Sequence, residues 1–177
     1  MPEPIAPVKE AAKIIADVIT AQLGLVAGQI MLTNQKWIIP ETQGLYVAIS
    51  YVSGKVIGNT NYSIPTSGGM QENQELVMLY QIQIDLMSYD DSARVMKELA
   101  YMGLLSVASQ QIQETYNVQI ARDPQPFQDV SMLEESGRLN RYTTLIAMTQ
   151  LITNTNANVP YFSDFTQSVP PQISKQQ

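Results

Sequence analysis

Between Leu76 and Leu86 every even-numbered residue is apolar: Leu76, Met78, Tyr80, Ile82, Ile84 and Leu86, with Gln81, Gln83 and Asp85 in the intervening places. A period of two puts those side chains on one side of an extended chain, whereas on a helix they would scatter round the axis. The pattern predicts a strand over 72–89 with Gln81, Gln83 and Asp85 on the opposite side. A buried face of that length must be covered by other elements.

Two helices are the cover the sequence offers. Over 8–23 the residues Val8, Ala11, Ala12, Ile15, Val18, Ile19 and Leu23 recur at spacings of three and four, and Gly24 reads as the stop. Pro2, Pro4 and Pro7 ahead of it fix backbone and withhold amide donors, which predicts an extended arm over 1–7. Ser88-Tyr89-Asp90-Asp91 has the spacing of a capping box, and Ser92 competes for the same role. From there Val95, Met96, Leu99, Met102, Gly103, Leu104, Val107, Ala108 and Ile112 keep helical spacing to about Tyr116, with Asn117 placed to end the helix. Met78, Met96, Met102 and Met148 fall at core phases, so the nine methionines read as filling rather than as an adaptable groove.

The rest of the chain alternates strand and loop texture. Leu45 to Ile64 is β-branched and aromatic and reads as a hairpin turning at Ser53-Gly54, while 24–28 reads as a turn. Residues 58–71 are dense in Gly, Asn, Ser, Thr and Pro and read as a long loop. A short strand is expected at 118–122; Pro124 and Pro126 then forbid regular pairing, and 127–137 stays open between a short helix and an irregular crossing. A last long strand is expected over 141–153, with Tyr142, Thr144, Ile146, Met148, Gln150 and Ile152 sharing a face, followed by a tail over 166–177. The fold class is therefore α+β: a mainly antiparallel sheet with a long central strand, covered by two helices, with an extended loop and terminal arms. Residues 8–165 are expected to form one domain.

Composition then narrows function. The chain has no cysteine and no histidine, which removes disulfides, thiol nucleophiles, cysteine zinc sites and the commonest general base. Only 15% of residues are charged, and nineteen glutamines and nine asparagines fill the polar quota. A net charge of -6 is the wrong sign for gripping phosphates. Gly54-Lys55 fails as a phosphate loop, since Ile49 stands where the first glycine is needed and Val56 where Ser or Thr is needed; no G-x-G-x-x-G occurs. The paired carboxylates Asp90 with Asp91, Asp123 with Asp129, and Glu134 with Glu135 are the only acid-base option. Capping, surface solvation and the turn before Pro124 account for them, so no catalytic residue, metal ligand or cofactor is expected. No apolar run reaches the length of a membrane span and the start lacks a secretory signal, so a soluble protein is expected. Trp37, before Ile38-Ile39-Pro40, reads as a loop anchored on the core.

The run Asn34-Gln35-Lys36-Trp37-Ile38-Ile39-Pro40, then Gly44-Leu45-Tyr46-Val47-Ala48-Ile49 and the hairpin ending at Gly58-Asn59, resembles the entry region of bacteriophage neck and tail terminator proteins of the neck-terminator-like type. The order of parts also resembles the wider tail-completion family over most of the chain. The resemblance implies a small subunit that assembles as a homo-oligomeric ring of six between the connector and the tail tube. It implies a structural virion protein, assembled in the bacterial cytoplasm, that caps the tube and lines a channel through which DNA passes without specific binding. Partners would be the adjacent neck or connector protein and the tail tube protein. The alternatives are another head-tail joining protein (head completion, gateway or collar), a cellular protein-binding module, and a carboxylate-based enzyme.

Interface candidates come from the two least regular stretches. Asn59 and Asn61 offer hydrogen bonds in the 58–71 loop and Tyr62, Ile64 and Met70 offer apolar area, while Tyr161, Phe162 and Phe165 form an aromatic knot near the C-terminus. The plain alternative for the loop is an unpartnered surface segment.

Overall fold

The computed structural model describes residues 10–32, 44–67, 69–134 and 137–159. Its elements are α1 (Ala11–Leu23), β1 (Ile30–Leu32), β2 (Tyr46–Thr66), β3 (Gly69–Ser88), α2 (Ser92–Leu104), α3 (Val107–Thr115), β4 (Val118–Ile120), β5 (Gln128–Asp129), β6 (Met132–Glu134) and β7 (Gly137–Val159). The fold is α+β, built on a sheet of order β1-β2-β3-β7-β4 in which β5 and β6 also pair with β7. β1 lies parallel to β2; the other described pairings are antiparallel. Among the described residues no helix is long and apolar enough to cross a membrane. The N-terminal arm, Trp37 with its neighbours and the C-terminal tail lie outside the described residues.

The alternation of β3 organises the base. Ile82, Ile84 and Leu86 are fully enclosed, and each stands between a β2 and a β7 residue of the same face: Tyr51 and Ile146, Ile49 and Thr144, Val47 and Tyr142. α1 turns Ile14, Ile15, Val18 and Ile19 onto this face, and α2 adds Ala93, Ala100 and Leu104. Gly24 ends α1 with φ 63° and donates its amide to the Thr20 carbonyl, a left-handed cap that a side chain would strain. Asn117 ends α3 at φ 51°.

The opposite face of the base is covered too. Tyr46, Ala48, Met87 and Leu139 form a second, smaller cluster with Met31 and Tyr89. Asp85, expected to point away from the core, is therefore buried, with its side chain 4% exposed. Arg141 Nη2 lies 3.2 Å from Asp85 Oδ2, and Gln83 Nε2 donates to the same oxygen at 2.9 Å. A buried carboxylate needs such partners, and here both come from the sheet itself.

Four further readings from sequence are corrected. The first is the helix expected from 92 to about 116, which breaks in two: Leu105 and Ser106 donate back to Met102 and Gly103, and Ser106 Oγ accepts the Ser109 amide as the cap of α3. Secondly, the core phase of α2 is set by its small residues. Ala93, Ala100 and Gly103 allow close approach to α1 and the sheet, which leaves Val95, Leu99 and Met102 outside, Met102 at 63% exposure.

The capping box also works differently. Ser88 Oγ accepts the Ala93 amide, Asp90 Oδ1 accepts the Ser92 amide, and Asp91 pairs with Arg94 instead of capping. Fourth, Ser53-Gly54 is no turn and 58–71 is no loop. β2 runs on to Thr66 and reverses there into β3, with Thr66 opposite Gly69. Gly54 leaves room for the Tyr51 and Tyr80 rings, which meet edge to face at 6.0 Å; a Cβ there would displace the Tyr51 hydroxyl and press on the Tyr80 ring. The open segment 127–137 supplies β5 and β6, and β1 had no sequence signal beyond three apolar residues.

Candidate functional site

The helices cover only the lower half of the β2-β3-β7 ribbon. Above about Gly54 on β2, level with Tyr80 and Met148, the three strands continue for about twelve residues to the Thr66 reversal, on the order of 40 Å at the strand rise. Beyond that level no described residue of β2, β3 or β7 belongs to the core cluster that the helices pack on. The ribbon is thus an arm held together by its own ladder and by side-chain rungs.

Two bulges set which residues share a face. Register shifts between Tyr51 and Ser53 and between Val56 and Gly58 carry the helix-side face of β2 through Tyr51, Gly54, Val56, Asn59, Asn61 and Ser63. Across β3 and β7 those residues meet, from the root upward, Ile82 and Ile146, Tyr80 and Met148, Met78 and Gln150, Leu76 and Ile152, Gln74 and Asn154, Glu72 and Asn156. The face is apolar at the root and amide-rich at the tip. Among the described residues, the large apolar side chains left exposed on the arm are Tyr51, Val52, Val56, Ile57, Tyr62 and Ile64 on β2 and Leu151 on β7, and none on β3 between them.

The arm collects five of the interface candidates. Asn59, Asn61, Tyr62 and Ile64 stand on the exposed length of β2, and Met70 opens β3 opposite Pro65. Asn61 Nδ2 donates to Glu72 Oε1 at 2.7 Å and Asn156 Nδ2 donates to Glu72 Oε2 at 3.3 Å, so one carboxylate ties all three strands. Those two bonds hold the Glu72 carboxyl below its ordinary range. On the other face the Tyr62 hydroxyl donates to Glu75 Oε1 at 3.1 Å, and the bond and charge of Glu75 push the phenol up. Tyr161, Phe162 and Phe165 lie outside the described residues.

A second exposed apolar surface escaped the sequence reading. Val95, Leu99 and Met102 follow one another up the outer side of α2, with Leu105 and Val107 beyond its end. The signal was present in the spacing of three and four, but it was assigned to the core. A cleft of about 790 Å³ lies between α3 and β4, lined by Leu104, Gln110, Gln113, Glu114, Ile120 and Arg122 among others. It brings together amides, one carboxylate and one guanidinium, and none of the carboxylate pairs considered above.

Those pairs stay apart in role. Hydrogen bonds from the Ser92 side chain and then from its amide lower the pKa of Asp90; Asp91 serves Arg94, and Asp129 Oδ1 accepts from the Ser131 amide and hydroxyl. Among the described residues no cluster of three or more Asp and Glu is grouped to hold a metal ion.

No protein-family profile matches the chain, and no curated protein matches it. One solved structure that does match is titled "Virion of native gene transfer agent (GTA) particle": 8% identity, a TM-score of 0.26, covering 78% of this chain and 93% of that one. A likeness at that level establishes neither fold nor function.

Proposed function

We propose that this chain is a structural virion protein of the head-tail junction, a ring-forming tail or neck terminator that caps the tail tube and surrounds the DNA channel. The observation that carries the reading is the arm. A sheet half covered by helices and half projecting, with apolar side chains exposed on its two outer strands, is incomplete as a monomer and is suited to burial between neighbours. The resemblance of 34–59 to neck terminators supplies the place in the virion, and the net charge of -6 per copy suits a conduit that releases DNA.

Native mass spectrometry and averaged negative-stain images test the assembly. An annular homo-oligomer is expected, of six copies if the resemblance holds, and monomers at every concentration would refute the reading. Label on the chain in whole particles is expected at the top of the tail tube. Label on a collar or on the connector would keep a joining protein and remove the terminator. Binding to duplex DNA is expected to be weak at physiological salt, so a submicromolar, salt-sensitive affinity would contradict the conduit. Turnover of nucleotides, esters or peptides that vanished in Asp123→Ala or Asp129→Ala would replace a structural role with an enzyme.

A further inference from the structure

We infer that the distal edges of β2 and β7 are pairing edges for a second copy of this chain, β7 of one copy adding alongside β2 of the next. The inference rests on the ring reading above and specifies how the ring closes.

Both edges are open beyond their last partner, β2 over 50–66 and β7 over 151–159, and the two stretches share levels over 58–65. β1 pairs with β2 only at Val47, Ala48 and Ile49. On the outer side of β7, β6, β5 and β4 pair in succession no further than Gln150, and the Leu151 amide donates to Asn117. Above these points no strand among the described residues pairs with the outer side of either. Rows of unpaired amides and carbonyls are templates for another strand.

Lys55, the two bulges and Pro65 guard parts of the β2 edge, but residues 58–64 between them and 151–159 of β7 contain no charged residue and no proline. Among the described residues of the arm, the exposed large apolar side chains also lie on these two outer strands, all but Leu151 of them on β2. Such segments are aggregation-prone unless a partner is provided for them.

Chain length limits one rival occupant. Residues 33–43 join Leu32, level with Ile49, to Gly44, so they reach at most roughly 18 Å beyond that level, five or six residues up the arm and short of 58–66. Residues 1–9 contain Pro2, Pro4 and Pro7, which lack ladder donors; 161–169, between Pro160 and Pro170, contain none, and that segment seated on β7 of its own copy would leave N61C/N154C without a ladder.

Direction and level favour a second copy. β2 and β7 both run antiparallel to β3, hence in the same direction, so copies side by side with arms aligned present β7 to β2 in parallel. Two different edges meet, a heterologous contact that repeats from copy to copy and can close. Asn61 and Asn154 stand at one level across β3, as do Ser63 and Asn156, so pairing at that level extends an existing amide-rich ladder.

The chain has no cysteine, which makes engineered disulfides unambiguous. Within one copy β3 separates residues 61 and 154, about 9.6 Å at two strand spacings and beyond the ~7 Å Cα limit of a disulfide. Full-length N61C/N154C is expected to give an oxidised ladder of covalent oligomers. Mixed N61C and N154C chains should give dimers only, and each alone none. T60K/T153K should stay folded by circular dichroism yet lose assembly, with T60K/T153E restoring it. Linking by N154C alone would show β7 pairing with itself and overturn the inference. A ring by native mass spectrometry with no ladder in N61C/N154C, N59C/N154C or S63C/N154C would overturn it and leave the ring reading standing. Monomers throughout would overturn both.

Discussion

Replacing Ile84 by alanine should destabilise the base severely, while the same change at Gln81 should do almost nothing. Ile84 is fully enclosed between Ile49 and Thr144 under α1 and α2, whereas Gln81 is exposed and its side chain accepts from Ser53 Oγ at 3.0 Å. Deleting buried aliphatic carbons loses transfer energy and leaves a cavity, about 2–5 kcal/mol, against about 0.5 kcal/mol or less for an exposed site. With a urea slope near 2 kcal/mol/M, a loss of ~3 kcal/mol moves the midpoint by about 1.5 M and a loss of 0.5 by about 0.25 M. Gln83→Asp lies between them. It removes the bond to Asp85 and brings a second carboxylate near the first, for which ~4 kcal/mol is a ceiling at 4 Å and an effective dielectric of 20. Arg141 beside Asp85 lowers that ceiling. The assay is urea unfolding followed by far-ultraviolet circular dichroism. Equal midpoints for Ile84→Ala and Gln81→Ala, with unchanged slopes, would show that the assigned burial of β3 is wrong.

Arg141→Ala leaves Asp85 buried with Gln83 as its main partner; since Arg141 is itself 36% exposed, a loss of about 1–3 kcal/mol is expected rather than the full cost of breaking a buried pair, and Asp85→Asn added to it should recover part in a double-mutant cycle. Ser106→Ala removes the α3 cap and should cost about 0.5–2 kcal/mol in thermal or urea unfolding, with Ser106→Asp retaining most of it. The carboxyl of Glu72 titrates below its ordinary 4.5, so its contribution to the arm is present above that pH and is lost as pH falls through the lower native value. Hydrogen exchange at 59–63 and 71–74 should therefore accelerate on acidification in the native chain and become pH-independent, beyond intrinsic chemistry, in Glu72→Gln. Gly54→Val should separate Tyr51 from Tyr80 and raise exchange in the arm while leaving amides of α1 protected.

What the sequence made legible was whatever depends on near neighbours along the chain. The alternation of 76–86, the stripe of α1, the stop at Gly24, the turn at Asn117 and the shared face of Tyr142, Ile146 and Met148 all follow from local period and backbone preference. The arm did not, because Gly58, Asn59, Asn61, Ser63 and Pro65 have poor intrinsic strand preference. What makes them a strand is the partner β3, and the Asn61-Glu72-Asn156 rung joins residues far apart in sequence. The same limit explains α2. Its apolar residues are too many for one face, and only the packing of Gly103 and Ala100 decides which face is inside. Asp85 was misread because covering the second face of the sheet is a tertiary event. The interface candidates from Asn59 to Met70 were legible as a cluster along the chain, but not as positions on an extended ribbon.

The two bulges of β2 also set lengths. From Tyr46 to Thr66 this strand spends twenty-one residues on a path for which β3, from Gly69 to Met87, needs nineteen. Strips of unequal length fastened side by side cannot stay straight; the longer one takes the outside of a curve, and each bulge adds local twist. The surplus is covalent, so the bend of the arm is written into the chain before any neighbour arrives. Deleting Val52 and Ile57 together would equalise the two tracks, and the straightened arm would then carry its tip in a different direction from the base.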